Sequence, residues 1–381
     1  FLPPLRVLCV SVVNPPMKIL VTGSTGFIGS QLCRALVAQG HRVLAFHRAS
    51  SSLRGLEGIP GCGEQPALAP VAGCLEHVLG DLTQPETLAA ALQGVEAVFH
   101  AAGLINAGAH PERLYAVNVE GTRALLLAAR VAGVRRVVVT SSVAALGVPL
   151  YGPAPMDERH AWNFAPQRWP YGHAKHLAEM EVQKAVAAGL DAVIVNPSVV
   201  VGAGDLYNAS RSIVARAARG QVKVVVAGGL NVVHIADVVA GHLAALEKGR
   251  RGERYLLCGQ NLTHLEFIQA VSEQAGVPAP TLELPAGLVR ALAGPLGALQ
   301  SVIDLPVSAS LLHLAGYHFY YNGDKARGEL GLPEPRPAAA AVRDALAWLN
   351  EQRAARPRAS QPRQTVPMVE PLMPEKKKKR K

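Results

Sequence analysis

The chain has 381 residues, 49% of them hydrophobic and 17% charged, with a formal net charge of +10. That length and apolar content exclude a disordered or fibrous chain and allow one large or two ordinary domains. The basic excess is a tail property: residues 351–381 hold ten Lys and Arg against three acids, +7 of the total, so no nucleic acid is expected as a partner.

Residues 1–16 are apolar and broken by prolines, and Met17 directly precedes a strand-like run. They read as a non-native or disordered leader, without the cationic start and cleavage site of a secretory signal. Strand signals follow at 18–22, 41–46, 77–79, 97–100, 135–140 and 192–196. Helical patterns fall between them at 27–39, 85–92, 111–132 and 171–188. These strands are rich in β-branched residues and lack polar alternation, which argues for a parallel sheet buried on both faces.

After residue 196 the rhythm changes. Strands at 222–226 and 255–258 stand among helices at 235–247, 264–274 and 338–350. The fold class expected is α/β, a Rossmann doubly wound parallel sheet with a smaller mixed α/β C-terminal lobe. The domains expected are 17–198 for NAD(P) binding, with some later segments returning to it, and 199–350 mainly for substrate. A surface loop spans 55–73, and 351–381 forms a disordered basic tail.

No transmembrane segment is expected. The nearest approach, 284–303, contains Arg290 and two prolines and reads as a core helix ahead of a lipid contact. The five cysteines are Cys9, Cys33, Cys62, Cys74 and Cys258. They form no C-x-x-C pair and no metal-like spacing with His, so no metal is expected. An odd, scattered set fits a reducing compartment and a cytoplasmic protein. Cys62 and Cys74 could bridge a loop, but unpaired thiols are the expectation.

The strongest motif is TGSTGFIG at 22–29, which follows a strand and opens a helix. Gly23 permits the tight turn, Gly26 lets the backbone approach a pyrophosphate, and Gly29 allows close helix packing. Thr25, Phe27 and Ile28 complete the cradle, where free N–H groups of the helix receive phosphate. At the end of the second strand stand His47 and Arg48, with no carboxylate before Glu57. Arg48 can clamp a 2′-phosphate, so NADP(H) is expected and NAD stays open; the bland alternative is a solvated surface arginine. Asp81 and Leu82 are placed to meet the adenine edge, although Asp81 or Thr83 could instead cap a helix. Ala101, Ala102 and Gly103 end the fourth strand with small residues and leave room for the dinucleotide.

Tyr171 and Lys175 are four apart, on one face of a helix. A neighbouring ammonium favours the phenolate and pulls the phenol below its ordinary value of about 10. Ser141 and Ser142 end the fifth strand after Thr140, at the carboxyl edge where open α/β sheets bind ligands. Ser142, Tyr171 and Lys175 therefore form the catalytic set, with hydride passing between nicotinamide and a carbonyl carbon. Asn118 is read as support for the sheet through side-chain bonds to backbone, and Asp237 as a structural contact. Leu104, Ile105, Ser142, Leu146 and Trp169 are read as substrate-facing, and their apolar character leans towards a hydrophobic small molecule.

Together these residues resemble the extended short-chain dehydrogenase/reductase (NAD-dependent epimerase/dehydratase) family over residues 17 to about 350. VNPSVVVG at 195–202 is similar to the dihydroflavonol-4-reductase-like branch. GLNVVHIAD at 229–237 and GERYLLCGQNLT at 252–263 are similar to its bacterial members near the hopanoid-associated sugar epimerase group. The resemblance implies a Rossmann domain with a substrate lobe and Ser142, Tyr171 and Lys175 as catalytic residues. Asn196, Pro197 and Ser198 are assigned to the cofactor from the same stretch. Leu146-Gly147 stands where the family usually has Tyr-Gly, the 55–73 loop is longer than usual, and the lysine-rich tail has no family counterpart.

The function expected is NAD(P)-dependent oxidoreduction of a carbonyl/secondary-alcohol pair. The alternatives are a nucleotide-sugar epimerase/dehydratase with tightly held NAD and a non-catalytic cofactor sensor. A homodimer is compatible with this reading, and the basic tail could meet anionic surfaces, though a solubilising end is the plainer view.

Overall fold

The run KILVT forms strand β1 (Lys18–Thr22), buried over its last four residues, in a computed structural model that describes residues 15–62, 73–106, 110–206, 212–291 and 312–354. The strands that follow in the first half are β2 (Arg42–His47), β3 (Cys74–Leu79), β4 (Ala97–His100), β5 (Arg136–Thr140) and β6 (Ala192–Pro197). In the second half come β7 (Val199–Val201), β8 (Val224–Val226), β9 (Gly229–His234), β10 (Arg254–Leu257), β11 (Gln260–Thr263) and β12 (Leu282–Leu284). Helices are α1 (Phe27–Ala38), α2 (Glu86–Ala91), α3 (Glu112–Tyr115), α4 (Gly121–Val131) and α5 (Pro170–Ala187). The later ones are α6 (Ile213–Ala217), α7 (Ile235–Lys248), α8 (His264–Gln274), α9 (Asp324–Leu330) and α10 (Ala338–Ala354).

Seven strands form one sheet in the order β10-β6-β5-β4-β1-β2-β3, and every pairing in it is parallel. The order reverses between β1 and β4, so a ligand crevice opens above their carboxyl ends. Alternate residues of each strand serve opposite faces. Ile19, Val21, Ala45, Phe99 and Val138 pack with α1, α7 and α9. Leu20, Leu44, Val98, Val137 and Val139 pack with α2, α4 and α5. Burial on both sides is why these strands carry no polar alternation.

The second unit gathers β7, β9, α6, α8 and α10 around Val214, Val232, Phe267, Val271 and Val342. In it β9 pairs parallel with β7 and antiparallel with β11, and β8 pairs with β12. Thr263 and Glu266 close a reciprocal capping box at the start of α8.

Three expectations change. The single helix expected over 111–132 is interrupted by a π-helical segment, Ala116–Glu120. The strand expected at 77–79 begins at Cys74, because that end pairs with β2 and is tied by a disulfide between Cys62 and Cys74. The cysteines are therefore not all unpaired; Cys33 and Cys258 are free thiols, and the cysteine pattern no longer argues for a reducing compartment. The readings of 1–14, 63–72, 292–303 and 355–381 lie outside the described residues. Among those described, no helix is long and apolar enough to cross a membrane.

Candidate active site

The phosphate-binding turn is built from contacts that only glycine permits. Gly23 has φ +64°, and a Cβ there would sit 2.6 Å from the Ala102 backbone at the exit of β4. A Cβ on Gly29 would lie 2.2 Å from the Gly23 carbonyl oxygen, so α1 can rest on the turn only without one. The Gly26 N–H donates to the Gly23 carbonyl at 2.9 Å. Thr25 is buried beneath the turn, and Phe27 and Ile28 are half-buried in the first turn of α1. No side chain caps α1 and no acid occupies its first turn, which leaves that N-terminus suited to a phosphate anion. The residues present thus fit a dinucleotide.

Around this cradle Ala101 and Ala102 are half-buried and Gly103 is exposed. A Cβ on Gly103 would meet Asn118 Oδ1 at 3.1 Å and Lys175 Nζ at 3.2 Å. The Arg48 side chain is exposed, with no hydrogen bond or ion pair to the described residues. Beside it His47 is buried, its Nε2 3.1 Å from His77 Nδ1. Asp81 Oδ1 accepts from the backbone and hydroxyl of Thr83 in a local turn, and the helix cap weighed as its alternative does not form, since no side chain caps α2. Leu82 is buried against Gly121.

Ser142, Tyr171 and Lys175 lie on two neighbouring pieces of chain, the exit of β5 and the first turns of α5. Ser142 starts the short 3-10 turn Val143–Leu146, and its Oγ accepts from the Ala144 N–H at 3.2 Å. Tyr171 stands at the head of α5, one turn before Lys175. Burial pushes the Tyr171 phenol above its usual range, while the neighbouring Ser142 hydroxyl pulls it down. The expected lowering of the phenol is not what the site gives: burial dominates, and the Lys175 ammonium lies against the backbone of β5. It donates to the Thr140 carbonyl at 3.0 Å, and burial drives Lys175 down to about 8, with Glu179 opposing.

Asn196 braces Ser142 from behind. Its amide donates to the Ser142 carbonyl at 2.9 Å and to Glu179 at 2.6 Å, and Arg254 holds Glu179 in turn. Pro197 ends β6. The Ser198 hydroxyl donates to Asn231 at 2.6 Å, so it serves the second unit's framework. Leu104 packs beside Tyr171 and Tyr115. Ile105 is 70% exposed at the rim, and Leu146 is fully buried. Leu146, expected on the substrate wall, instead packs with Val143, Met156, Leu256 and Tyr321 and offers a ligand no surface.

Two neutral histidines underpin the carboxyl edge from opposite faces. His100 contacts Thr22 Oγ1 at 2.7 Å and Thr122 Oγ1 at 2.9 Å. His242 contacts Thr140 Oγ1 at 2.8 Å and the Val238 carbonyl at 2.7 Å. Burial drives them down to about 3 and about 4.

Trp169, immediately before α5, belongs to a closed circuit of half-buried rings. It meets Phe319 at 5.6 Å, Phe319 meets Tyr317 at 6.0 Å, Tyr317 meets Phe164 at 6.2 Å, and Phe164 returns to Trp169 at 6.4 Å. Tyr317 and Phe319 were not singled out from the sequence. The available signal was the crowding of four aromatic residues into 317–321 of a chain only 5% aromatic. A separate concavity of about 1000 Å³ lies between α5, β10 and α9. Its walls are mainly paired charges such as Glu179–Arg254 and Glu253–Lys325, and Tyr171 is not among them. Among the described residues, no group of three or more His, Cys, Asp or Glu is placed to hold a metal.

Residues 19–258 match the family model of the NAD dependent epimerase/dehydratase family. The sterol demethylase protein B of Methylococcus capsulatus is 35% identical over 88% of this chain and 99% of its own. A 4-hydroxy-2-methyl-3-oxo-4-farnesyl-3,4-dihydroquinoline-1-oxide ketoreductase of Stigmatella aurantiaca is 34% identical over 83% and 91%. The crystal structure of a nucleoside-diphosphate-sugar epimerase from Pseudomonas aeruginosa superposes with a TM-score of 0.69 at 26% identity, covering 88% of this chain and 98% of that one.

Proposed function

The chain belongs to the NAD-dependent epimerase/dehydratase family, and from that membership we propose that it is an NADP(H)-dependent oxidoreductase acting on the carbonyl/secondary-alcohol pair of a flat, hydrophobic small molecule. The observation that carries this reading is the placing of Tyr171 one helical turn before Lys175, whose buried ammonium donates to the Thr140 carbonyl, two residues before Ser142. When bound, the nicotinamide supplies the hydride to a carbonyl carbon or accepts it from an alcohol.

Tyr171 gives its proton to the substrate oxygen in reduction and takes it back in oxidation. The Ser142 hydroxyl donates to the same oxygen and stabilises the charge that grows there. Lys175, held against Thr140 and Gly103, supplies positive charge beside the reacting groups. Arg48, exposed and without an ion-pair partner among the described residues, supports the phosphorylated cofactor through a charge-assisted pair with the 2′-phosphate.

The four-ring circuit at Trp169 supports a flat apolar substrate through the large apolar area that half-buried rings offer. Two relatives whose names contain sterol and farnesyl-dihydroquinoline lean the same way. The likeness to a sugar epimerase favours a second reading, in which NAD stays bound and no net oxidation or reduction occurs. Nucleotide released from denatured protein separates the two, because recovery of stoichiometric NAD supports the epimerase.

The direct test follows NADPH oxidation over a panel of polycyclic ketones. Tyr171→Phe is expected to abolish turnover while leaving NADPH affinity within about threefold of wild type, as removal of a proton donor requires. Full activity in that variant would refute the assignment.

A further inference from the structure

We infer that His242 and Thr140 form a positioning relay that sets where the Lys175 ammonium sits. The inference rests on the proposed role of Lys175 in the reaction.

The relay begins on α7. His242 is fully buried, and its Nδ1–H donates to the Val238 carbonyl one turn earlier at 2.7 Å. That bond selects the tautomer and leaves Nε2 as an acceptor. The Thr140 hydroxyl donates to it at 2.8 Å. Thr140 is the last residue of β5, two before Ser142. Its backbone carbonyl then accepts from Lys175 Nζ at 3.0 Å. A ring on one face of the sheet is thus joined, through a single residue, to an ammonium arriving from α5 on the other face.

The surroundings argue that the hydrogen bond does more than fill space. The same sheet face is otherwise lined by Val138, Val193, Val195 and Phe99, packed against Val238 and Ala245. Phe99 lies 6.4 Å from the imidazole. Valine and leucine would suit that cluster without the desolvation that a hydroxyl and an imidazole incur. What the polar pair adds is direction: it fixes the Thr140 backbone, and with it the acceptor that Lys175 requires. Burial holds His242 down to about 4, so the ring stays neutral and places no second cation near the lysine.

The experiment uses the full-length protein with NADPH and 9,10-phenanthrenequinone as a generic flat dicarbonyl probe. His242→Phe removes the acceptor and is expected to lower kcat about tenfold or more at an unchanged probe KM, the signature of a displaced group rather than lost binding. His242→Gln, whose amide oxygen can accept from Thr140, is expected to recover most of that loss. Thr140→Val against Thr140→Ser asks the same question without touching α7, should the phenylalanine variant fail to fold. Combining His242→Phe with Thr140→Val is expected to cost no more than either alone, because both break one bond. Full kcat in His242→Phe or Thr140→Val, or additive losses in the pair, would overturn the relay. Lys175→Met is the control: if it keeps turnover, the active-site reading itself falls, whereas an inactive Lys175→Met beside a fully active His242→Phe removes only the relay.

Discussion

Asn118 holds Leu104 by both of its backbone polar groups: Oδ1 accepts the Leu104 N–H and Nδ2 donates to the Leu104 carbonyl, each at 2.8 Å. Asn118 stands in the π-helical segment between α3 and α4, a distortion found most often at functional sites. Gly103 is caught between this amide and Lys175, so the clamp shapes the floor of the crevice.

Asn118→Ala should therefore register in two ways. Two backbone groups lose their partners, at a cost to stability of about 2–4 kcal/mol, read by urea denaturation. Freed from the clamp, the 103–104 backbone should weaken NADPH affinity about tenfold, since correct placement of the crevice wall is lost. An unchanged denaturation midpoint with unchanged affinity would show that the clamp is dispensable.

Arg48 is the next lever. No carboxylate ends β2, and the guanidinium is exposed and uncommitted. Arg48→Glu places a negative charge where the 2′-phosphate is proposed to sit, and a lost charge-assisted pair plus repulsion should weaken NADPH by about 10–100-fold. NADH, with a ribose hydroxyl there, should change less than about threefold or gain. Fluorescence titration with both nucleotides measures the ratio, and equal losses for both would remove Arg48 from cofactor selection.

The parts of this architecture legible in the sequence are those set by local rules. The Gly23, Gly26 and Gly29 spacing follows from steric contacts a few residues apart, and β1, β4 and β5 follow from unbroken apolar runs. The 229–234 strand was not legible, because GLNVVH has a glycine and an asparagine where a strand pattern wants apolar residues. It forms through pairing with β7 and β11, tens of residues away. Asn231 suits its place only because Ser198, Gly259 and Asn261 surround it. The ring circuit fails to show for the same reason, as Tyr317 and Phe319 lie about 150 residues beyond Phe164 and Trp169. The direction of the Tyr171 phenol was not legible because spacing reveals which groups are neighbours but not how much water they lose. Burial outweighs the pull of the Ser142 hydroxyl.

The Cys62–Cys74 bond gives a chemical count. Five cysteines occur in the chain, and this pair closes a loop with a sequence separation of 12. Denatured, unreduced protein should show two fewer reactive thiols than reduced protein. Removing the bond by Cys62→Ser with Cys74→Ser should lower stability by about 2–3 kcal/mol through the freed loop. The N-terminal end of β3 should then exchange its amide hydrogens faster. Five reactive thiols without reductant would show the pair open in solution.

Acid should find His100 and His242 before it finds the rest of the core. Thr122 spends its hydroxyl hydrogen on the Asn118 carbonyl, so it accepts from His100 Nε2–H and leaves Nδ1 to accept from Thr22. His242 likewise uses Nε2 as an acceptor, so protonating either ring buries a charge and forces the threonine hydroxyl to turn and accept. Their folded values, about 3 and about 4, lie below the unfolded value of about 6.5. The unfolded chain therefore takes up protons first as pH falls. The stability tied to neutral rings is complete above about 6.5 and drains as pH drops towards the folded values, by about 2 kcal/mol for each ring at pH 5. Comparing wild type with His242→Gln isolates one ring, because glutamine does not titrate. The stability gap between them should narrow by about 2 kcal/mol from pH 7 to pH 5, measured by urea unfolding. A gap independent of pH would mean that His242 is not held neutral by burial.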